Sequence, residues 1–292
     1  MNLLKDGWQR AWYSIKKHRL LFGILIALQA LFLVAALSLT VYYQILLLQD
    51  ARGVIEPLQN ANVDANQIQQ GIPLTNEFPL IYQSYNSMIK NLTAMVMGLA
   101  ALFLFFDGAL WFWSHMLFED KIYWKKIPVR SLKYLLKITA SAAAIIMPFI
   151  VGSYFLLLAI LRQNDSLENL LMVLKYFLPV ILFITYMVFT SFASAHNNSW
   201  KKFLKSWVLI TFRKISHTSK VFLAMSAALM LSSLILYGAV WFGRSALLLL
   251  FAGLLFIITI TAAKIFWISC VYELEENENS RSPKKAGNIS TK

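Results

Sequence analysis

The chain has 292 residues, of which 59% are hydrophobic and only 14% charged, and its formal net charge is +13. Soluble domains hold about 25% charged and about 45–50% apolar residues, so this balance excludes an ordinary soluble globule. It also excludes a disordered chain, which needs low hydrophobicity, and leaves an integral membrane protein.

Residues 1–19 form a basic, amphipathic segment bearing Trp8, Trp12, Lys5, Arg10, Lys16, Lys17 and Arg19. An apolar run from Leu20 to Leu48 follows. A helix crosses the hydrocarbon with about 20 apolar residues, whereas a secretory signal has an apolar core of about 7–15 ending at a small-residue cleavage site. The run therefore reads as a retained membrane anchor. Five more runs have spanning length: Ile89 to Phe118, Tyr134 to Leu161, Met172 to Ala195, Val221 to Phe242 and Ala246 to Val271. Barrel strands are about ten residues with strict alternation, and these runs are too long and too uniformly apolar for that. A helix also satisfies its backbone polar groups internally in lipid. The expected fold is all-α: a polytopic bundle of six transmembrane helices over residues 20–271, arranged as three hairpins.

The connections differ. Residues 49–87 form the one long external loop, rich in Asn and Gln. Within it Val54, Leu58, Ala61, Ala65 and Ile68 fall near helical spacing and predict a short amphipathic helix, an extension of the first span. Loops of this length are often functional or disordered. The other external connections, 162–171 and 243–245, are short. Residues 272–292 are acidic first (Glu273, Glu275, Glu276, Glu278) and basic last, with few apolar residues; a disordered cytoplasmic tail is expected.

Lys and Arg collect on the cytoplasmic side of membrane helices. With six spans, 21 of these residues share the side of both termini, five (Arg52, Lys90, Arg162, Lys175, Arg244) lie opposite, and Lys264 sits inside a span. Both termini are therefore expected in the cytoplasm, with the chain in the cell membrane. Eight of the nine tryptophans fall near the same boundary, Trp241 excepted, as residues that favour the headgroup level. Trp-bearing basic stretches precede each hairpin, and Trp12-x-x-Ile15 with Lys16 and Lys17 faintly echoes Trp207-x-x-Ile210 with Arg213 and Lys214. A threefold unit and the plain need of every junction for Trp and Lys both account for this echo. Residues 199–216 interleave Trp200, Phe203, Leu204, Trp207 and Ile210 with Lys201, Lys202, Lys205, Arg213 and Lys214. That pattern suits a helix lying in the membrane interface and attracting anionic headgroups.

Ionisable groups inside a span are costly and mark candidate sites. Asp107 lies about 16 Å and Lys264 about 10 Å from their span ends at 1.5 Å per residue, and the two would pair if their helices pack. Ser114 and His115 stand about two turns beyond Asp107. The functional reading of these four is an ion, proton or substrate path; the structural one is an ion pair, a snorkelling lysine and interfacial polar groups. His18, His196 and His217 are spread over separate loops. Pro148 and Pro179 lie within the third and fourth spans and predict kinks. Small residues four apart, at Ala94/Gly98, Ala140/Ala144, Ser191/Ala195 and Ala224/Ala228, mark close-approach faces.

With Cys270 alone, no internal disulfide or zinc cluster is expected. The P-loop, dinucleotide, zincin and nucleophile-elbow motifs are missing, and an aspartyl intramembrane protease would need two buried carboxylates. The charges hug the membrane, so nucleic acid is not an expected partner. The expectation is a non-enzymatic scaffold or accessory factor without cofactor or metal. It would engage anionic lipid and a protein partner or second copy through its basic, Trp-rich inner face. The alternative is a permease, or the membrane subunit of a transporter, with a path near Asp107 and Lys264.

Overall fold

A computed structural model of the chain describes residues 3–60, 78–119, 127–162, 167–197, 199–242 and 245–281. Among these residues every regular element is helical: α1 (Leu3–Lys17), α2 (Arg19–Asn60), α3 (Phe78–Ala101), a π-helical segment Leu102–Asp107, α4 (Gly108–Met116), α5 (Ile127–Arg162), α6 (Leu167–Ser194), α7 (Trp200–Val208), a π-helical turn Leu209–Arg213, α8 (Ile215–Phe242) and α9 (Ala246–Arg281). Five stretches are long and apolar enough to cross a membrane: Arg19–Pro57, Pro79–Met116, Ile127–Phe149, Ile215–Trp241 and Ala246–Glu278. In α6 the described apolar stretch is the shorter Pro179–Ser194. The chain divides into two compact units, Ala30–Asp107 and the remainder, Met1–Gln29 with Gly108–Lys292.

Ala30–Asp107 is an antiparallel helical hairpin. Successive contacts run Phe32 on Phe106 (ring centres 5.9 Å apart), Leu39 against Gly98, Asp50 accepting from Asn91 at 2.7 Å, and Gly53 against Ser84. Partner numbers fall along α3 as they rise along α2, which is the signature of antiparallel packing. Gly98 and Gly53 bring the backbones together: a Cβ at either would run into the facing side chain. α2 has 42 residues, roughly 63 Å at 1.5 Å per residue, about twice the hydrocarbon thickness. The hairpin therefore carries helix well past the expected first span. The loop expected over 49–87 is helical up to Asn60 and again from Phe78, and residues 54–60 of the expected short helix continue α2. The rest of that helix, 61–68, lies outside the described residues.

In the other unit α4 is the hub. Leu110, Trp111, Phe112, Ser114, His115 and Met116 are all buried, the pattern of a helix apolar on every side and wrapped by neighbours. Gly108 lets α5 approach, since a Cβ there would meet Leu135 and Ile138. Trp111 packs tilted against Phe189 and edge-to-face with Phe192 of α6, and Trp267 of α9 donates its indole N–H to the Phe189 carbonyl at 3.1 Å. Both tryptophans are essentially fully buried. This corrects the headgroup-anchor reading for Trp111 and Trp267: they pack the bundle core, where the Trp267 indole is satisfied by a carbonyl instead of water.

A second correction concerns residues 272–281, expected to be disordered. They continue α9 to Arg281; residues 282–292 lie outside the described ones. The physical reason is pairing. Glu273 and Glu276 both receive Arg10 of α1, at 3.1 and 2.9 Å, Glu275 faces His196 at 3.4 Å, and Glu278 faces Lys214 at 3.3 Å. Composition counts these carboxylates as solvated, whereas the fold brings Arg10, His196 and Lys214 against them.

Candidate functional site

Two amphipathic helices share the end of the bundle reached by the C-terminal part of α9. α1 sets its small residues Gly7, Ala11 and Ser14 against α9. A Cβ on Gly7 would overlap the Cys270 thiol, and Ser269 donates to the Gly7 carbonyl at 2.8 Å. An adjoining face exposes Leu4, Trp8 and Trp12 at four-residue spacing, with the Lys16 ammonium 5.2 Å from the Trp12 ring centre. Burial works against the charge of Arg10, but hydrogen bonding and attraction from Glu276 and then Glu273 outweigh it and raise its pKa.

α7 repeats the arrangement. Phe203 and Ser206 are buried against the bundle, and the Ser206 hydroxyl donates to Glu275. The outer face exposes Trp200, Leu204 and Val208 at four-residue spacing, continued by Phe212 and Ile215. Lys201, Lys202 and Lys205 flank this stripe and are exposed, as is Arg213. Lys214, read from the sequence as part of the same basic set, is instead paired with Glu278.

The intramembrane candidates Asp107, Lys264, Ser114 and His115 are all buried. Asp107 ends the π-helical segment and is 3% exposed. Lys264 is 7% exposed and does not snorkel: its ammonium donates to Gln29 Oε1 at 2.8 Å and lies 5.9 Å from the Trp111 ring centre. Asp107 and Lys264 belong to different compact units. The Ser114 hydroxyl is committed to the Leu110 carbonyl one turn back, at 2.8 Å. Pro148 and Pro179 each sit inside a helix that continues on both sides. Of the small-residue pairs, Ser191/Ala195 is buried, while Ala140/Ala144 and Ala224/Ala228 face outward.

His115 has company that sequence reasoning missed. It meets His196 at the C-terminal end of α6, where the backbone carbonyls of a helix lack intrahelical donors. That end is buried, so side chains must supply them. Tyr134 donates to the Phe192 carbonyl at 2.7 Å and His115 Nε2 lies 3.3 Å from it. His196 Nδ1 lies 3.0 Å from the Ala193 carbonyl, and Asn197 donates to that of Ser194 at 3.1 Å. Lys137 reaches the carbonyls of Ala195 and Asn197. A cation at this negative dipole end is favourable.

These contacts assign the protons. His115 donates from Nε2, which leaves Nδ1 to accept from the Tyr272 hydroxyl at 3.3 Å, a neutral ring. His196 lies between two acceptors, the Ala193 carbonyl and the Glu275 carboxylate. The two rings stack with centres 5.1 Å apart and turn their nitrogens to different partners. That arrangement caps the end of α6 and joins α9 to it. Beside it lies a cavity of about 60 Å³, lined by Phe112, His115, Met116, Glu119, Arg130, Lys133, Tyr134, Lys137, Ala195, His196 and Tyr272. Arg130 is paired with Glu119. Among the described residues no group of three or more His, Cys, Asp or Glu is arranged to hold a metal ion.

One signal could have found this cluster. His115, His196, Tyr272 and Glu275 stand at the ends of the second, fourth and sixth apolar runs, which the expected six-span topology would put on one side of a membrane. Compared with known proteins, the chain matches no family model, no curated protein and no solved structure.

Proposed function

We propose that the protein is a six-span integral protein of the cell membrane, with both termini in the cytoplasm. In this reading it is a non-enzymatic scaffold or accessory factor that engages anionic lipid and partner proteins through its inner face. The observation that carries the proposal is the outer face of α7, where exposed Trp200, Leu204 and Val208 are flanked by exposed Lys201, Lys202 and Lys205. A helix of this kind sinks its apolar stripe to the acyl boundary and leaves its lysines among the headgroups. Each such charge adds about 1 kcal/mol of attraction to an anionic surface. α1, with Trp8 and Trp12 outward, supports the same orientation. So does the 21-to-5 division of Lys and Arg, in which α6 is counted as the sixth span.

The test is hydrogen exchange of the full chain in nanodiscs of zwitterionic lipid, with and without an anionic lipid. Anionic lipid is expected to slow exchange over 200–208, and Lys201→Glu with Lys202→Glu and Lys205→Glu should abolish the slowing. Equal exchange in both lipids would sink the reading. A second reading, a permease or the membrane subunit of a transporter, draws on Lys264, an ammonium held inside the bundle against Gln29, because buried charges in membranes often mark transport paths. A stoichiometric soluble partner of nucleotide-binding size in native mass spectrometry would put this reading first.

A further inference from the structure

We infer that the cavity beside His115 and His196 binds a single phosphate group. Arg130, Lys133 and Lys137 occur at i, i+3 and i+7 on one face of α5, and all three line it together with the two histidines. One carboxylate, Glu119, is also in the lining and is already held by Arg130. Three basic side chains against one carboxylate leave a surplus of positive charge before either histidine is counted. Among the described residues the ion pairs involve neither Lys133 nor Lys137. Lys137 is 3% exposed, and its ammonium rests on backbone carbonyls alone among the hydrogen bonds it makes.

A confined surplus of this kind is stabilised by an anion. The opposing effect is the C-terminal end of α6, equivalent to about half a negative charge. It is smaller than the surplus, and its carbonyls are already occupied by Tyr134, His115, His196, Asn197 and Lys137. The size selects the ligand class. At roughly 10–15 Å³ for each water-sized sphere, about 60 Å³ admits a tetrahedral oxyanion and is far too small for a nucleotide. Lys133 is exposed and marks the mouth. A phosphate monoester headgroup entering from the membrane and a free phosphate ion present the same chemistry there. The inference goes beyond the α7 surface proposed above and does not rest on it.

The experiment uses the full chain in zwitterionic nanodiscs, titrated with inorganic phosphate by calorimetry. A parallel set of nanodiscs carries phosphatidate, and retained lipid is counted by native mass spectrometry. One phosphate or one phosphatidate per chain, saturably bound, is the expected result. Phosphate heat without retained phosphatidate assigns the soluble source, and the reverse assigns the lipid. Lys133→Glu, at an exposed position, should weaken that binding about tenfold or more, the equivalent of about 1.4 kcal/mol, while Arg52→Glu, at an exposed position of α2, should leave it unchanged. No saturable binding in either arm, or equal weakening by the two variants, overturns the inference.

Discussion

Glu275 and His196 face each other across 3.4 Å, and the same carboxylate accepts from Ser206 of α7 and, at 3.4 Å, from Asn197. One residue of α9 thus joins the end of α6, the turn after it and the amphipathic helix α7. A carboxylate with three donors is stable where it is, but removing it leaves those donors facing one another. Glu275→Ala should therefore destabilise the protein by about 2 kcal/mol, below the usual cost of breaking a fully buried pair because both partners keep some solvent contact. A thermal melt in mild detergent measures it. A melting temperature equal to that of the native chain would mean that the cluster does not hold α7 in place.

Gly7 makes a separate prediction. Its missing side chain is what lets α1 lie on α9 beside Cys270. Gly7→Val should lift α1 from α9 at a cost of about 1–3 kcal/mol, the usual range for overpacking. Hydrogen exchange should rise over residues 3–17 and stay unchanged in α6. Unchanged exchange in α1 would contradict the docking.

The helical continuation of α9 depends on Arg10. Arg10→Glu sets a third negative charge against Glu273 and Glu276, so residues 272–281 should become sensitive to limited proteolysis. Combining it with Glu273→Arg and Glu276→Arg should restore resistance. Cleavage that is equally slow in the native chain and in Arg10→Glu would show that the segment is held by something other than these pairs.

The hairpin register can be read by cross-linking. Gly53 and Ser84 are in close contact, so the double change Gly53→Cys with Ser84→Cys should form an intramolecular disulfide under mild oxidation. Gly53→Cys with Leu92→Cys, two helical turns away, should not. The opposite outcome would shift α3 along α2.

Gln29 and Lys264 should be coupled. Lys264→Met removes the donor of a buried amide, and Gln29→Leu removes the acceptor of a buried ammonium. Their combined effect on stability should depart from additivity by about 1 kcal/mol, as for residues in direct contact. Simple addition would mean that the 2.8 Å hydrogen bond carries no net energy.

The class of the protein was legible in its amino acids alone. Apolar runs of membrane length leave helices as the expected way to satisfy the backbone in lipid, and the all-helical fold with five long apolar helices follows that rule. The amphipathic pattern of residues 199–216 was legible too, because a helical period written in Trp, Leu and Lys needs no partner to be recognised.

Tertiary structure decided what periodicity cannot encode. Where all faces of a helix are apolar, sequence does not say which face turns inward. Trp111 and Trp267 therefore read as headgroup anchors until packing placed them in the core, and Lys264 read as a snorkelling residue until Gln29 was found beside it. The acidic residues after Val271 read as solvated because their partners, Arg10, His196 and Lys214, lie far away in the chain. The meeting of His115, His196, Tyr272 and Glu275 has the same cause. Each is unremarkable in its own segment, and only the convergence of α4, α6 and α9 on one buried helix end makes them a site.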